Sequence, residues 1–503
     1  MDSKFYDVVI IGGGSSGCAA AARISEDPSV EVLLLEAGPD PVPLPDMIAD
    51  GTKGNQAILE SPYTIMYPTE RKADGSIYYP LSGRIMGGGS SVNMMAVVHP
   101  TEHDFHTWES LGNSGWSYED CLPFLKRIET DTDFPDRFNH GHDGPITVTR
   151  RMDLRNLPEG IVKDFVTRSI AAGLAVGDDW NTPNPQGVLP AASNVKNGLR
   201  QSTSVAYLQN ARSRPNLTII PDALVHELVL GNNHVNGVRY IKDSIACEIS
   251  ADKIVLTAGV YHSPQILELS GIGDPHNLRR IGIDTKHELI GVGANYQDHA
   301  SVTVTYECAE GFNPEWLVPG FRLTYKSDSS LVNDDFHIFL RAPINVSGLK
   351  PMLPITSNLI EQRTRGSVHI VSRDPAVLPL IDDALLQDSK DIKAMVKSLQ
   401  FIDSLVTHES MAHYFSRRIQ PEQSENIEEF ITTTYDCYHH GVGTCMMGPT
   451  NNSMSVVDQQ LKVHGIDNLY IADASVIPTI PHANTNMAAI LMGERVAHFV
   501  NNS

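Results

Sequence analysis

A run near the N-terminus is built to hold a phosphate. Gly12-Gly13-Gly14-Ser15-Ser16-Gly17 reads as G-x-G-x-x-G, and an acid, Glu36, follows 19 positions past Gly17. Gly12 permits a tight turn, and Gly14 lets backbone approach a pyrophosphate. Gly17 lets the following helix lie against its strand, and the helix N-terminus turns unpaired N–H groups toward the phosphates. Glu36 can accept hydrogen bonds from an adenosine ribose, and its charge would repel a 2′-phosphate. This is a dinucleotide fingerprint, and alone it does not choose between NAD and FAD. Two further clusters carry chemistry. Tyr438-His439-His440-Gly441-Val442-Gly443-Thr444-Cys445 sets two histidines in a glycine-rich segment, and histidine is the side chain suited to proton transfer near neutral pH. The chain has 20 histidines, so composition does not choose among them. His140-Gly141-His142-Asp143-Gly144 has the residue types of a metal site.

The elements that must position these groups are legible in the pattern. Phe5 to Ile11 is an apolar, β-branched run, Cys18 to Ala22 open a helix with small side chains, and Glu31 to Leu35 form a second strand ending at Glu36. Three later segments suit a ligand longer than an ADP half. Gly83-Arg84-Ile85-Met86-Gly87-Gly88-Gly89-Ser90-Ser91-Val92-Asn93 offers open N–H groups and small side chains to a flat ring or a phosphate. Thr257-Ala258-Gly259 through Ser263-Pro264 to Ser270-Gly271-Ile272-Gly273 predicts a strand, a small-residue turn and a helix with proline near its start. Asn468 to Ser475 predicts a buried strand ending on Asp473, which could bind a ribityl hydroxyl, sit beside the pyrophosphate or cap a turn.

In order and spacing these segments, with GVGANYQDH (291–299), HGVGTCMMG (440–448) and DASVIPTIPHANTN (473–486), resemble the glucose–methanol–choline (GMC) family of FAD oxidoreductases nearly end to end. The likeness is nearest to bacterial 5-hydroxymethylfurfural-oxidase-like and choline-dehydrogenase-like members. It implies an α/β fold (α+β overall), with a Rossmann-like FAD-binding domain discontinuous in sequence and a substrate domain whose mainly antiparallel sheet is flanked by helices. The implied boundaries are 1–155, 201–300 and 446–503 for FAD, and 156–200 and 301–445 for substrate.

The resemblance also assigns residues. It puts the catalytic base on His440 rather than His439, through the family's H-x-x-G-T segment, and aligns the partner position with Asn484. His439 is expected to be structural, and His482 is a weaker candidate for touching substrate. Beside Gly12, Gly14, Ser15, Ser16, Gly17 and Glu36, the cofactor-binding set takes in Ala37, Met86, Gly87, Ser91, Asn93 and Met94. Val225, Ala258, Asp473, Ala474 and Thr485 complete it. Val92 stands where some relatives carry a histidine bonded to FAD, so the FAD is expected to be non-covalent. His99-Pro100 and Met446 depart from the usual pattern and weaken any transfer of substrate preference. His140 to Gly144 matches a recurring HGxxGP turn, so no metal is expected. The implied reaction is oxidation of a small primary or secondary alcohol, with O2 or another electron acceptor reoxidising the flavin. A redox-silent lyase and a fatty-acid photodecarboxylase are the alternatives on this fold.

The bulk properties agree with such an enzyme. A length of 503 residues suggests two lobes, and 41% hydrophobic with 19% charged residues is ordinary for a globular chain. A formal net charge of -22 argues against nucleic acid or an anionic membrane as partner. The N-terminus shows no basic n-region, no apolar stretch reaches membrane-spanning length, and the six cysteines form no CxxC pair. A cytoplasmic monomer or homodimer without a membrane anchor is expected. Trp108, Trp116 and Tyr118 read as packing. Residues 41–82 read as a long loop, 217–249 as a meander with Asn-Asn and Asn-Gly turns, and 300–385 as strand-rich. Helices are expected over 388–407, 425–434 and 485–500.

Overall fold

Tyr6–Ile11 is almost wholly buried, and in a computed structural model of the chain, which describes residues 5–72, 74–312 and 320–502, it lies inside a seven-stranded sheet. The order is Leu217–Ile220, Val32–Leu35, Tyr6–Ile11, Ile245–Leu256, Val235–Lys242, Leu224–Leu230, with Leu469–Ile471 also pairing with Ile245–Leu256. The first four and Leu469–Ile471 run parallel, and the rest are antiparallel. One sheet thus collects strands from three distant stretches. Parallel strands covered on both faces need continuous apolar runs, which VVII and VLLL supply. The helix Ser15–Ile24 lies on this sheet beside Thr485–Asn501, and the small residues Cys18 to Ala22 allow the close approach. Arg23 Nε and Glu494 Oε1, 2.8 Å apart, pin the pair.

A second seven-stranded sheet, wholly antiparallel, runs Phe415–Gln420, Ala300–Cys308, Met352–Leu359, Phe336–Leu340, Phe321–Tyr325, Val188–Pro190, with Asp436–Cys437 beside Ala300–Cys308. Helices Ile161–Ala171, Ser389–Val406 and Ile427–Thr434 pack Phe165, Leu399 and Ile431 onto it. Trp108 and Trp116 pack together, ring centres 6.5 Å apart, with both indole N–H groups bonded to backbone. All six cysteines carry free thiols, and among the described residues no helix is long and apolar enough to cross a membrane.

Three local expectations need correction. Residues 41–82 are not one loop: they carry the short helices Asp46–Ala49 and Gly54–Leu59, and Thr64–Met66 pairs with Leu81–Gly83. Asn236-Gly237 is no turn, because Gly237 lies inside a strand opposite Ser250; the chain reverses instead at Asp243 and Ser244, both at positive φ. The helix Gly259–Leu269 begins earlier than its proline suggests, so Pro264 falls inside it. A proline there leaves the carbonyl four residues back without its helical donor. That carbonyl, of Val260, accepts a hydrogen bond from Thr444 Oγ1 at 2.6 Å. Part of the strand-rich region, 313–319, lies outside the described residues.

Candidate active site

A single cavity of about 1130 Å³ runs between the two sheets, from the N-terminal glycine loop to the paired histidines. Gly12, Gly14, Ser15, Ser16, Glu36 and Ala37 line it, as do Asn93, Met94, Val225, Ala258, Asp473, Ala474 and Thr485, together with His440 and Asn484. Four of the expected cofactor residues do not reach it. Gly17 is needed for packing, since a Cβ there would run into the Gly12 carbonyl. Met86 packs its sulfur against Gly13, Gly87 N–H donates to Gly13 O at 2.7 Å, and Ser91 Oγ donates to Met86 O at 2.8 Å. They brace the loops from behind. Arg200, fully buried, does the same from the other side, donating to the carbonyls of Ile48, Ser90 and Asn93.

The cavity fits an extended dinucleotide. At Gly14, Gly89 and Gly259 a Cβ would find nothing within 4 Å, so three glycines bare their backbone to open space along its length. Glu36 accepts from Gly13 N and Gly38 N, each at 2.7 Å, and burial pushes its carboxyl up to about 7. Asp473 accepts from Gly259 N at 2.9 Å, Ser263 Oγ at 2.6 Å and Ser475 N at 2.8 Å, so it ties the strand end to the helix start while facing the cavity.

At the far end the hydrogen bonds determine which nitrogens carry protons. His299 Nε2 lies 3.1 Å from the Pro481 carbonyl, which can only accept, so that nitrogen is protonated. Burial pushes the His299 imidazole down to about 3, so the ring is neutral and its Nδ1 is bare. His440 Nδ1, 3.0 Å away, must then donate to it. His440 is itself held well below the ordinary histidine value by burial first, then by its neighbours His299 and Arg322, which disfavour a second positive charge there. Its Nε2 is therefore an open lone pair, 3.0 Å from Asn484 Nδ2. Arg322 Nη1 donates to Asn484 Oδ1 at 2.7 Å, which fixes the amide's orientation. Asp298 Oδ1 accepts from the backbone N–H of His299 at 2.7 Å and of His440 at 2.9 Å, holding the two histidines in register.

His439 has φ of 61° and accepts from Leu81 N at 3.3 Å, so it serves the backbone. His482 lies off the cavity wall, 2.6 Å from Asp104 Oδ1. The sequence cluster His140 to Asp143 does not converge: His142 and Asp143 are exposed. His140 instead meets Glu129 and Asp131, whose oxygens with its ring nitrogens lie within 4.8 Å of one another. Burial works against a charge on His140, yet bonds to Asp179 and Glu129 raise it to about 9, and Arg150 bridges Asp131 at 2.7 Å and Asp179 at 2.6 Å. Cationic side chains already fill the place between these acids. Asp298 and His299 carry no signal of their own in the sequence although they stand in the family-like segment 291–299; Arg322 stands in no motif at all.

Two family models described as GMC oxidoreductase match residues 6–301 and 362–493. The chain is a GMC oxidoreductase. Its fold is the FAD-binding one of that family, and it is an FAD-dependent enzyme acting on CH–OH donors. It is 31% identical to an alcohol dehydrogenase [acceptor] of Pseudomonas putida, over 98% of this chain and 95% of that protein. It is 31% identical to an oxygen-dependent choline dehydrogenase of Chromohalobacter salexigens, over 98% of this chain and 94% of that one. Among solved structures, pyridoxine 4-oxidase from Mesorbium loti superposes with a TM-score of 0.90 at 26% identity, covering 99% of each chain.

Proposed function

We propose that this GMC oxidoreductase oxidises a small primary or secondary alcohol, with His440 Nε2 taking the hydroxyl proton and Asn484 holding the alcohol oxygen. The hydrogen-bond chain from Pro481 O through His299 to His440 carries this reading, because it leaves the Nε2 lone pair unprotonated and turned toward Asn484. When bound, FAD supplies the hydride acceptor at N5 of its ring. The chain's own residues supply position and proton traffic. In the resting site an Asn484 N–H rests on Nε2; the alcohol takes that place, its O–H pointing to the Nε2 lone pair and its oxygen accepting from the Asn484 amide. Its depressed pKa keeps His440 in the proton-accepting form at neutral pH.

The names of the relatives, which speak of an alcohol and of choline, support the substrate class. The cavity residues from Gly12 to Ala37, with Asn93, Met94, Val225, Ala258, Asp473, Ala474 and Thr485, are assigned to FAD. The cofactor domain is assigned to 1–155, 201–300 and 446–503, and the substrate domain to 156–200 and 301–445. FAD is held without a covalent bond, since Val92, which lines the cavity, has no side-chain nitrogen to bond a flavin. Dioxygen or another acceptor then reoxidises the flavin.

Anaerobic titration tests the reaction: the yellow holoenzyme bleaches with at least one member of a panel of small alcohols, and a flavin that stays oxidised with all of them contradicts it. Acid precipitation tests the attachment. The colour stays in the supernatant if FAD is free, and in the pellet if it is bonded.

A further inference from the structure

Two cations at the reacting end of the cavity have no counter-charge. Arg151 and Arg322 both line it. They start from adjoining backbone: Arg151 N bonds to Ala191 O, Ala191 N bonds to Gly320 O, and Arg322 pairs across the sheet with Leu189. Arg151 spends one donor on Met94 O at 2.8 Å, and Arg322 spends one on Asn484 Oδ1 at 2.7 Å. Among the described residues neither has a carboxylate within ion-pair distance, whereas Arg23, Arg150 and Arg212 are each paired with an acid. The rings of Trp180 and Phe339 lie 5.8 Å and 5.5 Å from the Arg322 guanidinium and wall it from the protein side. Burial, then the charge of Arg322, brings Arg151 down to about 10, the mark of two like charges sharing a poorly hydrated space. In a chain of net charge -22 such a pair is a local reversal of sign. The floor beside it is polar: Ser301 Oγ donates to Asn358 Oδ1 at 2.6 Å, Thr303 and Thr356 share a hydrogen bond of 2.8 Å, and all four face the cavity. Asp436 and Arg341, both exposed, add one charge of each sign to the wall.

We infer that the substrate is a hydroxy-carboxylate: its carboxylate is received by the free donors of Arg151 and Arg322 while its hydroxyl is presented to Asn484 and His440. Guanidinium forks match a carboxylate with paired N–H···O bonds, and such a contact offsets one of the two positive charges that otherwise repel each other. A quaternary ammonium of the choline type meets the opposite field. This inference rests on His440 and Asn484 being the alcohol-oxidising pair, but its binding half can be measured without turnover.

The probes are benzoate, benzamide and benzyl alcohol added to the oxidised holoenzyme, with the flavin spectrum as readout. Benzoate binds at least tenfold more tightly than benzamide, a ratio within the roughly 10- to 100-fold range of a charge-assisted contact. Added salt weakens benzoate binding and leaves benzamide unmoved. In Arg151→Met the benzoate advantage collapses, and in Arg151→Lys it partly returns. In turnover, 4-(hydroxymethyl)benzoate exceeds benzyl alcohol in kcat/KM by a similar factor. Equal binding of benzoate and benzamide to the wild type overturns the inference, whatever the variants do. If benzoate binds tightly but no alcohol bleaches the flavin, the anion site stands and the oxidation of an alcohol fails.

Discussion

Asn484 is held from two sides, by His440 Nε2 at 3.0 Å and by Arg322 Nη1 at 2.7 Å, so its amide has one orientation. Because His440 is held below the ordinary histidine value of 6.5, its neutral form survives as the pH falls past that value, and protonation removes the base only at lower pH. The profile of kcat/KM, which reports ionisations of the free enzyme, therefore keeps its plateau through pH 6.5 and breaks below it. Arg322→Met takes away a cation that disfavours the imidazolium, so the acid break moves up toward 6.5; an unmoved break would show that Arg322 acts only by holding Asn484. The histidine itself was legible from its H-x-x-G-T setting. Its partners were not. Arg322 and Asn484 stand 162 positions apart, and nothing in an arginine on a β-strand announces that it ends beside the Asn484 amide.

At the scale of elements, the Val260 carbonyl joins the two halves of the site. Pro264 leaves it without a helical donor, and Thr444, four residues after His440, supplies the missing hydrogen bond. The helix start that faces the cavity is thereby tied to the segment that carries His440. Thr444 is fully buried, so Thr444→Val strands that carbonyl without a partner and costs about 1–3 kcal/mol. Thermal unfolding reads this as a lowered Tm, with Thr444→Ser close to wild type; a Thr444→Val protein as stable as wild type would falsify the tie. The helices over 388–407, 425–434 and 485–500 were legible because apolar periodicity and end residues agreed, and they appear as Ser389–Val406, Ile427–Thr434 and Thr485–Asn501. The region 41–82 was not, because its helices are only a turn or so long and are held by packing Ile48 and Ala57 against Ile85 and Val92 rather than by an amphipathic repeat. Asn236-Gly237 misled for a related reason: a turn dipeptide weighs less than the sheet pairing on either side of it.

For the whole molecule, the parallel sheet was legible from its two opening strands, and Leu469–Ile471 from its buried-strand pattern; Leu217–Ile220, expected to open a meander, instead pairs in parallel with Val32–Leu35 at the far edge, a long-range pairing that no local pattern announces. The cavity between the sheets has a phosphate-binding end built from backbone and a reacting end built from side chains, and the two ends have opposite legibility. Backbone cradles need glycine in fixed positions and so leave a motif. The reacting end draws Arg151, Asp298, His299, Arg322, His440 and Asn484 from separate segments, and only the fold brings them together. At that convergence the proposed chemistry rests on one histidine taking the proton. Stopped-flow measurement of anaerobic flavin reduction, with a bleaching alcohol and with FAD content matched, compares wild type with His440→Ala. Loss of the base slows reduction by roughly 10²–10⁴ while the flavin stays bound; a rate within a few-fold of wild type would contradict the assignment.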